Sequence, residues 1–206
     1  MDTAFRWFVI VVLSYLLGSI QFGLLISRRK NIDIRSLGSK STGTTNMFRV
    51  LGAKASLLTF LGDFSKGLVS ALIGLWVMGN AGVCVCGIAA ILGHMFPVFE
   101  RFRGGKGVAT AIGVCIVINP ILTMILSALS FIGIAIVRVV SVFSLIAIVL
   151  FAVINCLLSG GNGMQIIFSV LLAALILWAH RSNISRMKDG SEFKNKLDFS
   201  RLRKDN

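Results

Sequence analysis

The chain has 206 residues, 56% hydrophobic and only 14% charged, with a net charge of +13 and a mean hydropathy of +0.88. Soluble globular domains carry about 25% charged residues, so the composition excludes one and points to a polytopic membrane protein. With two prolines and no low-complexity linker, residues 1–206 read as a single domain.

Seven apolar segments follow one another, at about 5–27, 53–78, 82–99, 107–118, 120–137, 141–158 and 164–180. A spanning helix needs about 20 residues. The first segment is too long for a signal-peptide core and ends in Ser27-Arg28-Arg29-Lys30 rather than a cleavage site, so it reads as one retained helix. The fourth is short. Asn119-Pro120 predicts a turn between it and the fifth, because proline starts a helix but breaks one from inside. Cys84, Cys86, Cys115 and Cys156 lie inside apolar runs without zinc-ligand spacing, and read as small buried hydrophobes.

Basic residues fill alternate connections. Arg28, Arg29, Lys30, Arg35, Lys40, Arg49 and Lys54 occupy the first, Arg101, Arg103 and Lys106 the second, and Arg138 the third. Arg181, Arg186, Lys188, Lys194, Lys196, Arg201, Arg203 and Lys204 occupy the tail. The connections at 79–82, 119–120 and 159–163 carry no charge. Seven spans place every basic loop on one side, which the positive-inside rule makes cytoplasmic. The expected fold is therefore an all-α membrane bundle of about seven helices, N-terminus outside and C-terminus cytoplasmic. Arg6 is the exception and can snorkel. The basic face suits anionic lipid heads. Nothing resembles a nucleic-acid motif.

Three polar stretches interrupt this pattern. Residues 36–49 read SLGSKSTGTTNMFR, with Gly38, Gly43, five hydroxyls between Ser39 and Thr45, Asn46, and the cations Lys40 and Arg49. Many donors with little bulk suit phosphate or polyol oxygens. The glycines have nucleotide P-loop spacing, but Thr44 and Thr45 stand where Lys-Ser/Thr must follow, which excludes ATP or GTP on this pattern. Residues 103–110 read RGGKGVAT, where Gly104, Gly105 and Gly107 allow an N–H nest for an anion. Lys106 adds charge, and a helix from Val108 would point its positive end at the same spot. The tail opens with His180 and Asn183 and continues to Glu192. His180 suits a base, a phosphate ligand or an interface anchor; Glu192 suits a cation ligand or a brace for the basic loops. Inside the second apolar run Asp63 and Lys66 share a helical face at i, i+3, as a functional pair or a bridge between helices. His94 either joins them or anchors at the interface.

These blocks, in this order, resemble the bacterial acyl-phosphate:glycerol-3-phosphate acyltransferase family: its first motif is similar to 36–49, its second to 104–110, its third to 180–194. The resemblance extends to 62–67 and 93–99 and covers most of the chain. It implies an enzyme of the bacterial inner membrane, working at the cytoplasmic face. Such enzymes move a fatty acyl group from acyl phosphate to the 1-hydroxyl of sn-glycerol 3-phosphate, with no cofactor or metal, giving lysophosphatidic acid and phosphate. The implied partners are the two substrates, membrane lipids and the enzyme that makes the acyl phosphate. Carried onto this sequence, Ser39, Arg49, Lys106 and His180 are the expected catalytic residues. Gly38, Thr45, Asn46, Gly104, Gly105, Gly107, Asn183 and Glu192 are expected to bind substrate or phosphate. The family usually has glycine at position 40, asparagine at 41 and alanine at 44, where this chain has Lys40, Ser41 and Thr44.

Rival classes lack their motifs. Soluble-type glycerolipid acyltransferases need His, four residues, then Asp, but Phe99 and Ser185 stand at that spacing from His94 and His180. An alcohol phosphotransferase needs paired aspartates, and Asp63 is alone in the apolar runs. An organic-phosphate transporter should show pseudo-repeats and mid-bilayer charge; no repeat is visible and the charges crowd one face. No Ser-His-Asp set exists, so direct attack on acyl phosphate is favoured over an acyl-Ser39 intermediate.

Overall fold

In the computed structural model, residues 2–194 and 196–198 are described; Arg201, Arg203 and Lys204 of the basic tail lie outside the described residues. The elements are α1 (Thr3–Ser19), α2 (Phe22–Arg29), α3 (Thr44–Met95), α4 (Val108–Ile118), α5 (Pro120–Val137), α6 (Val140–Leu158), α7 (Gly163–Ala179) and α8 (Arg181–Lys188). Short 3₁₀ turns occupy Val98–Glu100 and Ser191–Lys194.

The long α3 is three helices in one run, broken where Gly52 and Gly79 take positive φ. The break at Gly79 folds 53–78 back against 80–95. Gly74 packs on the Gly82 backbone near the bend, and Asp63 lies 3.5 Å from His94 further along. Each of the seven apolar segments is mainly helical, though the first is interrupted at Ile20–Gln21 and the third leaves the helix after Met95. Asn119 makes the expected turn: its Oδ1 accepts the Leu122 N–H at 3.2 Å, and Pro120 takes the first position of α5, where no N–H is needed. At 11 residues α4 is the shortest of the seven. Its length is about 16 Å at 1.5 Å per residue, too short to span about 30 Å of hydrocarbon alone.

Packing follows the rules of lipid rather than water. Trp76 and Ile136 are 88% and 75% exposed, an outward face that only lipid suits. Inside, small residues let backbones touch. A Cβ on Gly67 would strike the Thr110 carbonyl, and one on Gly113 would strike the Phe64 carbonyl, so α3 and α4 meet at van der Waals distance. Ile91, Val114, Phe168, Leu172 and Ile176 fill the centre between α3, α4 and α7.

The first span departs from the expected single helix. It stops at Ser19 and restarts at Phe22, leaving Ile20 and Gln21 extended. Lys66 Nζ donates to the freed Ile20 carbonyl at 2.5 Å and pairs with Asp63 Oδ1 at 2.9 Å. Gln21 Nε2 donates to the His94 carbonyl at 3.1 Å, and its Oε1 accepts the Thr42 hydroxyl at 3.1 Å. The buried Asp63, Lys66 and His94 thus tie the break in the first span to both halves of the α3 hairpin, and through Gln21 to loop 36–43. The bridge between helices is built here, and Asp63 and His94 also line the cavity described below.

Candidate active site

Loop 36–43 is shaped by one buried amide. Asn46 Nδ2 donates to the carbonyls of Ile34 (3.3 Å), Leu37 (3.1 Å) and Ser41 (2.9 Å), and Oδ1 accepts the Ser39 N–H at 2.8 Å. Asn46 was expected to bind substrate; with its amide hydrogens occupied, it clamps the loop that presents Ser39. Gly38 closes this turn at φ +58, and a Cβ there would strike Asn46 Oδ1. Lys40 also takes a left-handed φ of +58, the conformation glycine adopts freely. The Ser41 hydroxyl accepts the Gly43 N–H at 3.3 Å.

The second motif divides in two. The Gly104 N–H donates to the Met95 carbonyl at 3.2 Å and the Gly105 N–H to the His94 carbonyl at 3.1 Å. These two glycines were expected to cradle an anion; instead they satisfy the last carbonyls of α3. Gly105 is glycine because a Cβ would run into the His94 ring. Gly107 behaves as expected in placement. It takes φ +80 as N-cap of α4, and with Lys106, Val108 and Ala109 it lines the cavity, so the unpaired N–H groups that open a helix face that space.

The third motif is a chain of polar contacts. Lys106 Nζ donates to Asn183 Oδ1. Asn183 Nδ2 donates to Glu192 Oε1 at 2.6 Å, which also accepts the Ser141 hydroxyl at 2.5 Å. Glu192 Oε2 accepts Arg186 Nε at 2.7 Å. Glu192 therefore accepts three hydrogen bonds and is buried. Of the two sequence readings, its contacts build the brace, and Asn183 relays that brace to Lys106. Burial alone would raise the Glu192 carboxyl; hydrogen bonds from Ser141, Asn183 and Arg186 outweigh it and hold it below its usual value.

His180 follows α7 at the cavity wall. Its Nδ1 lies 2.9 Å from the Ile176 carbonyl. A carbonyl only accepts, so Nδ1 carries the proton and Nε2 keeps a free lone pair in the neutral ring. Burial first, then the Lys106 ammonium, lower its pKa to about 4. Burial likewise lowers Lys106 to about 8, opposed by Glu192 and helped by Arg186 and Arg49. Arg49, too, is lowered by burial, with Glu192 opposing and Arg186 adding to the shift. Three cations thus crowd the Glu192 carboxylate, in a basin whose charge is net positive.

One cavity of about 880 Å³ holds these groups and continues beyond them. Ser39, Thr45, Arg49, Lys106 and His180 stand at the polar end. Between α4, α5 and α6 it becomes an apolar trough reaching Leu126, Phe131, Ile148 and Phe151. Arg186 and Ser141 were not singled out by sequence. Arg186 had a weak signal, since it follows Asn183 by one helical turn on α8; Ser141 had none.

Fold and site define an all-helical integral membrane protein with a cation-rich basin opening on an apolar trough. The glycerol-3-phosphate acyltransferase family model matches residues 8–190, and the chain belongs to that family. It is 42% identical over 185 residues to the glycerol-3-phosphate acyltransferase of Thermoanaerobacter sp. (strain X514), spanning 89% of this chain and 92% of that one. It is 40% identical over 190 residues to that of Aquifex aeolicus (strain VF5), spanning 89% and 96%. The crystal structure of PlsY (YgiH), an integral membrane glycerol 3-phosphate acyltransferase, in its glycerol 3-phosphate form, superposes with a TM-score of 0.86 at 35% identity, over 94% of this chain and 95% of that one. Its lysophosphatidic acid form gives 0.83 at 35%, over 95% and 96%.

Proposed function

We propose that the protein transfers a fatty acyl group from acyl phosphate to the 1-hydroxyl of sn-glycerol 3-phosphate, releasing lysophosphatidic acid and inorganic phosphate, without cofactor or metal. The observation that carries this reading is the single cavity joining a basin of excess positive charge to an apolar trough. Two phosphate-bearing substrates suit the basin, and one long acyl chain suits the trough. Family membership supports the acceptor.

Acyl phosphate is a mixed anhydride with a good leaving group, so catalysis reduces to positioning and stabilising developing charge. The acceptor hydroxyl oxygen attacks the acyl carbon and the bond from that carbon to the phosphate oxygen breaks. The hydroxyl proton passes to the departing phosphate. Arg49, Lys106 and Arg186 neutralise the phosphates, aided by the first N–H groups of α4 and the Thr45 hydroxyl. Ser39 donates a hydrogen bond to substrate, and His180 Nε2 accepts one from the other hydroxyl of glycerol 3-phosphate, leaving the attacking hydroxyl's proton to the phosphate. Purified protein should acylate glycerol 3-phosphate from palmitoyl phosphate in the presence of EDTA. Comparable transfer from palmitoyl-CoA, or loss of activity in EDTA, would refute this donor.

The site is assigned to the cytoplasmic face of a bacterial inner membrane, where soluble glycerol 3-phosphate arrives and a partner enzyme can supply acyl phosphate. The basic connections support this orientation. Single cysteines substituted at Lys40, Arg138 and Asn162 check it in intact cells: an impermeant thiol reagent should modify only the position-162 variant, and labelling at 138 would invert the assignment.

A further inference from the structure

Past Glu192, the described residues 196–198 lie against the cavity. The Leu197 N–H donates to the Arg138 carbonyl at 2.9 Å, on the left-handed residue that ends α5. Lys196 and Asp198 on either side are exposed, but Leu197 is 7% exposed and lines the cavity beside Val139, Val140 and Ser141. Five residues earlier Glu192 holds Ser141 from the same side. Two points on the tail therefore grip the α5–α6 turn. That hairpin needs holding, since only 11% of the α5 span is buried within the protein against 33–44% for α6 and the two long spans before them. Leu197 lies past residue 190, where the family match ends.

This placement has a chemical consequence. Val139 and Val140 begin the apolar trough, and Ser141 touches the polar brace, so Leu197 covers the junction of the two. An acyl phosphate lying with its chain in the trough and its phosphate in the basin has its carbonyl carbon near that junction. Acyl phosphates also react with water: water oxygen attacks the same carbon, the bond to phosphate breaks, and fatty acid and phosphate result. A transferase for such a donor needs its site closed against bulk water.

We propose that Leu197 is a donor-site residue, and that the C-terminal strap closes the acyl-phosphate end of the cavity so that the acyl group reaches glycerol 3-phosphate rather than water. The inference rests on the function proposed above.

The test uses the full chain in lipid nanodiscs with palmitoyl phosphate and glycerol 3-phosphate, measuring lysophosphatidic acid and free palmitate together. Leu197→Ser should raise the palmitate-to-product ratio at least about tenfold by admitting water. It should also raise KM for palmitoyl phosphate while leaving KM for glycerol 3-phosphate within about twofold, because the acceptor groups are untouched. Leu197→Met should restore the wild-type ratio. If Leu197→Ser does not fold, Leu197→Ala is read by the same ratio. Equal loss of turnover with both substrates and an unchanged ratio would make the strap purely structural and overturn the inference. Wild-type protein that makes no lysophosphatidic acid from palmitoyl phosphate would remove the functional reading, and this inference with it; an active wild type with an unaltered variant ratio would remove this inference alone.

Discussion

Lys106→Ala is expected to lower kcat/KM by at least about a hundredfold, because losing one preorganised donor to developing charge typically costs about 10²–10³ in rate. Lys106 is held by Asn183, which is held in turn by Glu192, so its ammonium is fixed before substrate arrives. Arg49→Ala should act similarly through the other side of the basin. Neither change should unfold the protein. Lys106 is buried among Arg49 and Arg186, and removing a cation from that cluster relieves repulsion, so melting temperature should hold or rise. A pH profile separates the charge from its shape. Lys106 is lowered to about 8 in the free protein. Its charged form predominates below that value, so wild-type kcat/KM should fall as pH rises through about 8. Lys106→Arg, whose guanidinium does not titrate there, should lose that descending limb whatever its absolute rate.

The second large effect concerns the buried ion pair between helices. Lys66→Met should destabilise the protein by about 3–5 kcal/mol, the usual consequence of removing one partner from a buried ion pair. It strands the Asp63 carboxylate, 2% exposed, and frees the Ile20 carbonyl at the break in the first span. The double change Asp63→Leu, Lys66→Met removes both charges and should recover most of the loss. Thermal aggregation of purified protein in detergent measures both. A Lys66→Met protein as stable as wild type would show that the network does not hold the bend.

Hydropathy and the placement of Lys and Arg located all seven apolar helices, because lipid constrains helix length and composition directly. Asn119-Pro120 declared its turn for a local reason. The break at Ile20–Gln21 gave no such sign: what stabilises it is Lys66, more than forty residues away. Gly104 and Gly105 were misread because glycine serves equally for an anion cradle and for close packing, and only the position of His94 decides between them. Asn46 carried a further role that its sequence did not show: its amide donors, which suit a ligand, reach three loop carbonyls while the residue lines the cavity. Arg186 was one of many basic residues in the tail, and Leu197 one leucine in a polar stretch. Both acquire meaning only when the tail folds over α6.

The proposed transfer is a single step from acyl phosphate to a hydroxyl of glycerol 3-phosphate, with both substrates in one cavity. Intact-mass measurement after incubating purified protein with palmitoyl phosphate alone tests it most directly. The chain should stay unmodified, and lysophosphatidic acid should form as soon as glycerol 3-phosphate is added. A stoichiometric palmitoyl adduct on Ser39 that chases onto glycerol 3-phosphate would contradict it.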